Sequence, residues 1–154
     1  MGAREEVENK IGDKTVTQIV GQPSERDVTC LQKELGKLAG KVKTALGGGK
    51  HGHLGLVIEE TKYTTISQGG KTFDIPAHPG AYPSTVPADA AEREKVVAEH
   101  KASVYECETC EAVHEILKEK AIEAVDEEWL LELEDDQLGF TNVSLIDILK
   151  HLRD

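Results

Sequence analysis

Five residues that could ligate a metal ion are the sharpest chemical feature of the sequence. Two cysteines and a histidine follow one another as Cys107-x-x-Cys110-x-x-x-His114, and two more histidines, His51 and His53, lie in a glycine-rich stretch. Thiolates and imidazoles are the usual ligands of structural zinc sites. If the cysteine segment is helical, its three side chains share one face of that helix. These residues define one hypothesis, a small zinc-binding module that interacts with other proteins.

The spacing of that segment departs from the pattern of a retroviral-type zinc knuckle, Cys-x2-Cys-x4-His-x4-Cys. Here the histidine comes one residue early and no further cysteine follows. Residues seven apart on a helix are separated by about 10 Å along its axis, so one helix cannot enclose a tetrahedral ion. His51 and His53 would have to supply the remaining ligands. Buried cysteines that bind no metal are the favoured interpretation, and a zinc site is the alternative.

No residue pattern indicates an enzyme. His100 precedes Cys107 by seven residues and lies on the same side of the predicted helix. A catalytic base needs a nucleophile or a carboxylate within reach, and Ser67 and Ser84 lack the Gly-x-Ser-x-Gly elbow of hydrolases. We therefore predict that His100 is a buried histidine bonded to a backbone carbonyl, and we expect no active site and no small-molecule substrate.

Glycine dominates the stretch that carries His51 and His53. A phosphate-binding P-loop would need Ser or Thr after its lysine, but Lys50 is followed by His51. Glycine at this density indicates positive φ or a close approach of the backbone to another group. We interpret the stretch as architectural, a helix C-cap that leads into a tight turn. The glycines of this turn are Gly47, Gly48, Gly49, Gly52 and Gly55.

A helix must precede the glycine turn. Ser24 is a favourable N-cap, and Asp27 complements the first turn. Apolar residues then recur at steps of three and four as far as Leu46: Val28, Leu31, Leu35, Leu38, Val42 and Leu46. Cys30, beside this stripe, is predicted to be a buried free thiol. The polar side carries Lys33, Lys37, Lys41 and Lys43, which we interpret as solvated, with a weak RNA-facing patch as the alternative.

The remaining elements are predicted to be mainly helical as well. A short helix is expected over 59–66, a long helix over 88–125, a further helix from Asp126 that carries Trp129, and a final helix capped by Ser144. The Pro-rich residues 73–87 are expected to form a long ordered loop pinned by Phe73, Ile75 and Tyr82. Residues 1–14 are charged and aperiodic, and we predict a disordered, frayed or weakly helical lead-in. Residues 15–154 then form a single helical domain.

Composition limits the classes of protein to which the chain can belong. Residues 1–87 carry 11 basic and 10 acidic side chains, whereas residues 88–154 carry 7 and 19, a net charge of −12. A field of that sign repels nucleic acid. No apolar run approaches the roughly 20 residues of a membrane span, and no apolar signal core begins the chain. Three cysteines, an odd number, indicate reduced thiols and a cytoplasmic location.

An ordered series of motifs resembles the Gag-like segment of copia-type retrotransposons. It comprises the glycine turn through Val57, then Tyr63, then Pro76-Ala77-His78-Pro79-Gly80. Further parts match in the same order: Ile19-Val20-Gly21-Gln22-Pro23, His100, Ala124-Val125-Asp126 before Trp129-Leu130, the segment from Leu138 to Val143, and Ile148 to Leu152. The resemblance covers about residues 15 to 154. Trp129 stands where the family pattern has Tyr.

The resemblance implies a structural protein, the N-terminal part of a capsid protein. Such proteins are predominantly helical, self-associate and enclose the RNA of the element. It therefore implies a homo-oligomer, no membrane partner, and contact with RNA only indirectly or through a segment beyond Asp154. Since Gag-like chains of this kind extend C-terminally, we expect the natural chain to continue. No cofactor is expected under this reading.

Overall fold

The computed structural model describes residues 3–12, 16–44, 51–67, 72–73, 75, 80, 88–140 and 143–153. Over these residues the chain forms α1 (Ala3–Ile11), α2 (Glu25–Gly40), α3 (Glu60–Ile66), α4 (Ala90–Ala124) and α5 (Leu145–Arg153). Two 3-10 turns, Leu54–Leu56 and Glu127–Trp129, complete the regular structure, and the described residues contain no β-strand. The prediction of a mainly α fold is confirmed. Gly47, Gly48, Gly49 and most of the Pro-rich stretch lie outside the described residues.

Ser24 begins α2 as predicted. Its hydroxyl accepts a hydrogen bond from the Asp27 amide, and the Asp27 carboxylate accepts one from the Ser24 amide, both at 3.1 Å. This capping box satisfies two amides that a helix leaves open at its N-terminus, and it lowers the pKa of Asp27. The apolar residues that follow form the predicted buried stripe, made of Val28, Leu31, Leu35 and Leu38.

The C-terminal end of α2 differs from the prediction. The helix ends at Gly40 rather than at Leu46, and the Val42 amide turns back to the Ala39 carbonyl at 3.3 Å. The same carbonyl accepts a hydrogen bond from the His53 amide at 3.1 Å. A segment that returns from later in the chain therefore terminates α2, which the local apolar spacing cannot reveal.

The longest element, α4, is one unbroken helix of 35 residues, about 50 Å long. Its buried side chains all lie between Cys107 and Ala124. The helices α1, α2 and α5 pack against α4, so its second half forms the centre of the helical packing. In the first half of α4, from Ala90 to Glu106, no side chain is buried.

The prediction that residues 1–14 form a lead-in outside the domain was wrong for Ala3–Ile11. These residues form α1, and Val7 and Ile11 are 1% and 2% exposed in the main core. Polar contacts also hold α1 to α4. Arg4 contacts Glu8, Glu115 and Glu119, each at 3.0 Å. The apolar pair Val7 and Ile11, four residues apart, was too short a pattern to identify a helix without its partner.

The C-terminal segment matches its prediction in part. The Ser144 hydroxyl accepts a hydrogen bond from the Asp147 amide at 3.1 Å, and α5 buries the expected Leu145, Ile148, Leu149 and Leu152. The helix predicted from Asp126 is only the 3-10 turn Glu127–Trp129. Two expected burials were wrong: Cys30 is exposed, and the side chain of Ile75 is 59% exposed.

Substitution of a residue in α1 tests whether this helix belongs to the domain. Val7→Ala removes two buried methyl groups next to α4, and we expect the free energy of unfolding to fall by about 2 kcal/mol. Glu5→Ala, on the exposed side of the same helix, is the matched control and should change it by less than about 0.5 kcal/mol. Urea denaturation measures both, and equal effects of the two substitutions would support a frayed lead-in.

Candidate functional site

The histidine turn, residues 51–57, lies against the C-terminal end of α2. His53 is wholly buried, and its Nδ1 lies 2.7 Å from the carbonyl oxygen of Val42. Because a carbonyl can only accept, Nδ1 carries the proton and donates this bond. Backbone and side chain of His53 therefore bond two carbonyls at the end of α2, those of Ala39 and Val42.

Two glycines of the predicted turn allow this close approach. Gly52 has φ +57, and a Cβ there would lie 2.9 Å from the Val42 oxygen and 3.0 Å from the Ala39 oxygen. Gly55 leaves room for the Phe73 ring, since a Cβ would come within 2.2 Å of it. For these two positions the architectural interpretation of the glycines has a direct physical reason.

Aromatic side chains cover the outer side of the histidine turn. Phe73 meets the rings of both His53 and Tyr63 edge to face, with ring centroids 6.1 Å and 5.6 Å away. His51 lies farther out, where its Nε2 bonds the carbonyl oxygen of Ile66 at 3.1 Å. The turn is thus enclosed between α2 and α3, and Phe73 packs at their junction.

The second group of candidate ligands lies on α4. Burial raises the pKa of Cys110 to about 12, with the neighbouring Cys107 as the next cause. Burial also raises the pKa of Cys107, and Glu111 adds to the shift through its charge and a 3.6 Å contact. Both thiols are therefore held protonated, whereas metal binding and nucleophilic chemistry need the thiolate.

His114 faces the start of α5. Its Nε2 accepts a hydrogen bond from the Leu145 amide at 3.1 Å, which is one of the amides that α5 leaves open at its N-terminus. Because Nε2 accepts, the ring is neutral, and burial lowers its pKa. Lys118, one turn along α4, donates from Nζ to the Phe140 oxygen at 2.6 Å. These two polar side chains fasten the chain before α5 to α4, a role for which the sequence carries no local signal.

The structure does not bring the five candidate metal ligands together. His51, His53 and His114 each bond a different backbone group, and the two cysteines lie one turn apart on α4. Across the part of the chain that the structure describes, no three Cys, His, Asp or Glu side chains form a group able to hold a metal ion. His100, predicted to be buried, is partly exposed, because it lies on the half of α4 that buries no side chain.

Glu106 and Thr109 of α4 lie near His53 and line the same cleft. Tyr105, Thr44 and other residues also line this cleft, which has a volume of about 310 Å³. Burial lowers the pKa of His53 against the smaller opposing effects of the Val42 hydrogen bond and the Glu106 charge. The imidazole is therefore neutral, and its Nε2 is buried without a hydrogen bond to the described residues.

Comparison with protein-family models, with curated protein sequences and with solved structures found no match to this chain. Within the described residues, no helix is both long enough and apolar enough to cross a membrane. The function of the histidine turn is therefore inferred from its geometry alone. His51 and His53 form hydrogen bonds to backbone carbonyls of the same chain. These bonds fix the end of α2 against α3 and α4.

Substitution of Gly52 tests how tightly the turn is packed. Gly21 also has a positive φ, +75, but has no atom within 4 Å of an added Cβ. Gly21→Ala should therefore cost about 1–2 kcal/mol for the left-handed backbone alone. Gly52→Ala should cost about 1–3 kcal/mol more, because the methyl group meets two carbonyl oxygens. Urea denaturation compares the two variants, and equal losses of stability would contradict this packing.

Acid should destabilise the domain through His53, which is buried, and His114, which is partly buried. Burial lowers the pKa of His53 and His114. As the pH falls, the unfolded chain therefore binds protons at these histidines before the folded chain does. Their contribution to stability is complete above the unfolded pKa of about 6.5 and declines as the pH falls below it. His114→Gln retains an acceptor for the Leu145 amide and cannot titrate. We expect the urea midpoint to fall less steeply from pH 7.5 to 5 in this variant, and an unchanged slope would contradict the assignment.

Proposed function

We propose that this chain is a structural, Gag-like capsid protein of a copia-type retrotransposon, which self-associates into a shell around the RNA of the element. One observation carries the proposal. The motif on which the resemblance rests is used for internal packing, because Gly52 and His53 close the end of α2 and Gly55 accommodates Phe73. A motif that is used to build a helical domain suits the structural role of a shell protein.

The distribution of charge supports an indirect relation to RNA. The half of the chain that contains α4 and α5 carries a net charge of −12, which opposes contact with phosphates. On this proposal the domain forms the wall of a particle and meets the RNA only indirectly. The protein has no catalytic role in the proposal: burial raises the pKa of Cys110 to about 12, which disfavours its thiolate, and backbone groups occupy Nδ1 of His53 and Nε2 of His114.

Measurement of molar mass by light scattering tests the proposal. We expect the mass to exceed the 16.8 kDa of one chain and to rise with protein concentration, with assembled particles visible by electron microscopy at the highest concentration. RNA added to the sample should not be retained at physiological salt. A strict monomer at every concentration would contradict the proposed self-association.

Chelation provides the control against the zinc-module hypothesis. A structural zinc site contributes directly to folding, so its removal unfolds the domain. We expect EDTA to leave both the circular dichroism spectrum and the molar mass unchanged. Loss of helicity on chelation would instead favour the zinc-binding module.

A further inference from the structure

A groove beside the turn Glu127–Trp129 has the composition of a site for an alkylammonium group. It has a volume of about 500 Å³ and lies where the start of α2 meets the end of α5. Trp129 contributes an aromatic ring, Glu128 and Glu132 contribute carboxylates, and Pro23 and Leu152 contribute aliphatic surface. We refer to these five residues as the acidic groove.

The chemistry of the acidic groove favours a cation on an apolar stem. An indole ring attracts a cation that approaches its face, and a long basic side chain buries its methylene groups while its charge stays near polar partners. Glu128 and Glu132 are exposed, and neither is in an ion pair within the described residues. Seven of the eleven residues from Asp126 to Asp136 are acidic and none is basic.

The groove is also held in a defined shape. His151 of α5 bonds the Trp129 carbonyl oxygen through its Nε2 at 2.9 Å, which fixes the turn to the last helix. Leu130, the next residue, is 1% exposed and anchors the turn in the core. Adjacent apolar surface is uncovered, since the side chains of Val20 and Leu131 are 91% and 58% exposed. A partner that inserts a basic side chain would also cover apolar atoms near the rim.

The complementary surface exists on the same chain. Lys33, Lys37 and Lys41 follow one another at intervals of four residues, so they form a row about 12 Å long on one side of α2. We call them the lysine row. All three are exposed, and none is in an ion pair with another described residue. Lys33, the nearest of the three to the start of α2, lies eight residues beyond Glu25, about 12 Å along the helix axis.

We propose that the acidic groove receives lysine side chains from the lysine row of a second copy of this chain. The inference rests on the proposed self-association and names the contact that drives it. Three observations support this occupant. The groove and the lysine row carry opposite charges, and neither has an ion-pair partner within the described part of its own copy. The aliphatic stem of a lysine also matches the apolar surface of the groove. The contact joins two different surfaces, the acidic groove of one copy and the lysine row of the next. Because each copy carries both surfaces, association can continue from copy to copy.

Charge reversal with complementation tests the contact. Glu128→Lys with Glu132→Lys reverses the groove, and Lys33→Glu with Lys37→Glu and Lys41→Glu reverses the row. We expect each variant alone to associate at least tenfold more weakly by sedimentation, and an equimolar mixture of the two to recover association. Wild-type association should weaken as salt rises, because the contact pairs exposed opposite charges.

Matched controls separate this contact from a change in net charge. Glu92→Lys with Glu94→Lys changes the charge as the groove variant does, at exposed sites on the first half of α4. Lys62→Glu with Lys95→Glu and Lys101→Glu matches the row variant. Both controls should associate like the wild type. Circular dichroism checks that every variant is folded.

The outcomes distinguish the two proposals. A wild-type protein that never associates overturns both. A wild type that associates, with groove and row variants that match their controls, overturns only the contact. Variants that fail alone and also fail when mixed show that the two surfaces do not meet. If instead the wild-type groove binds a free lysine-rich peptide while the row variant associates normally, the occupant is another basic protein and the second-copy contact is overturned.

Discussion

The hydrogen bond from His53 Nδ1 to the Val42 carbonyl is the interaction on which the arrangement of this domain depends. It is short, at 2.7 Å, and wholly buried, and it joins the turn at residues 51–57 to the end of α2. A buried carbonyl without a partner would cost about 1–3 kcal/mol, so the histidine satisfies a group that the early end of the helix exposes. The neutral imidazole is then flanked by Phe73 on one side and by α4 on another. Four segments thus meet at one side chain.

A second polar connection repeats this principle at the other end of the core. His114 accepts the Leu145 amide and Lys118 donates to the Phe140 carbonyl, so α4 holds the start of α5 through side-chain contacts with backbone. Burial lowers the pKa of His53, His114 and Lys118. Each of these side chains forms a hydrogen bond to a backbone group. Burial of such groups is ordinarily unfavourable and is tolerated only where they are hydrogen-bonded. The polar residues in this core connect neighbouring segments through side-chain hydrogen bonds to the backbone.

Local patterns in the sequence predicted the helices that have their own signals. The N-cap at Ser24, the apolar steps of α2, the Ser144 cap and the helical state of α4 could all be recognised from spacing. Features set by distant contacts could not. The end of α2 depends on His53, the helical state of α1 depends on α4, and the exposure of His100 depends on which part of α4 is covered. The three histidines among the candidate metal ligands bond backbone groups, and no spacing rule identifies such partners.

The packing of α1 on α4 has a consequence for how the chain folds as it is made. The partners of Arg4 on α4 follow it by 111 and 115 residues, and Tyr105, which bonds Glu6, follows by 99. A nine-residue helix is too short to be stable in isolation, so α1 can dock only after α4 has been synthesised. Val7 and Ile11 remain uncovered until then, and contacts of such long sequence separation form slowly. The nascent chain therefore exposes the apolar side of α1 throughout the synthesis of the residues between the two helices, a period in which neighbouring chains on one messenger can exchange this helix.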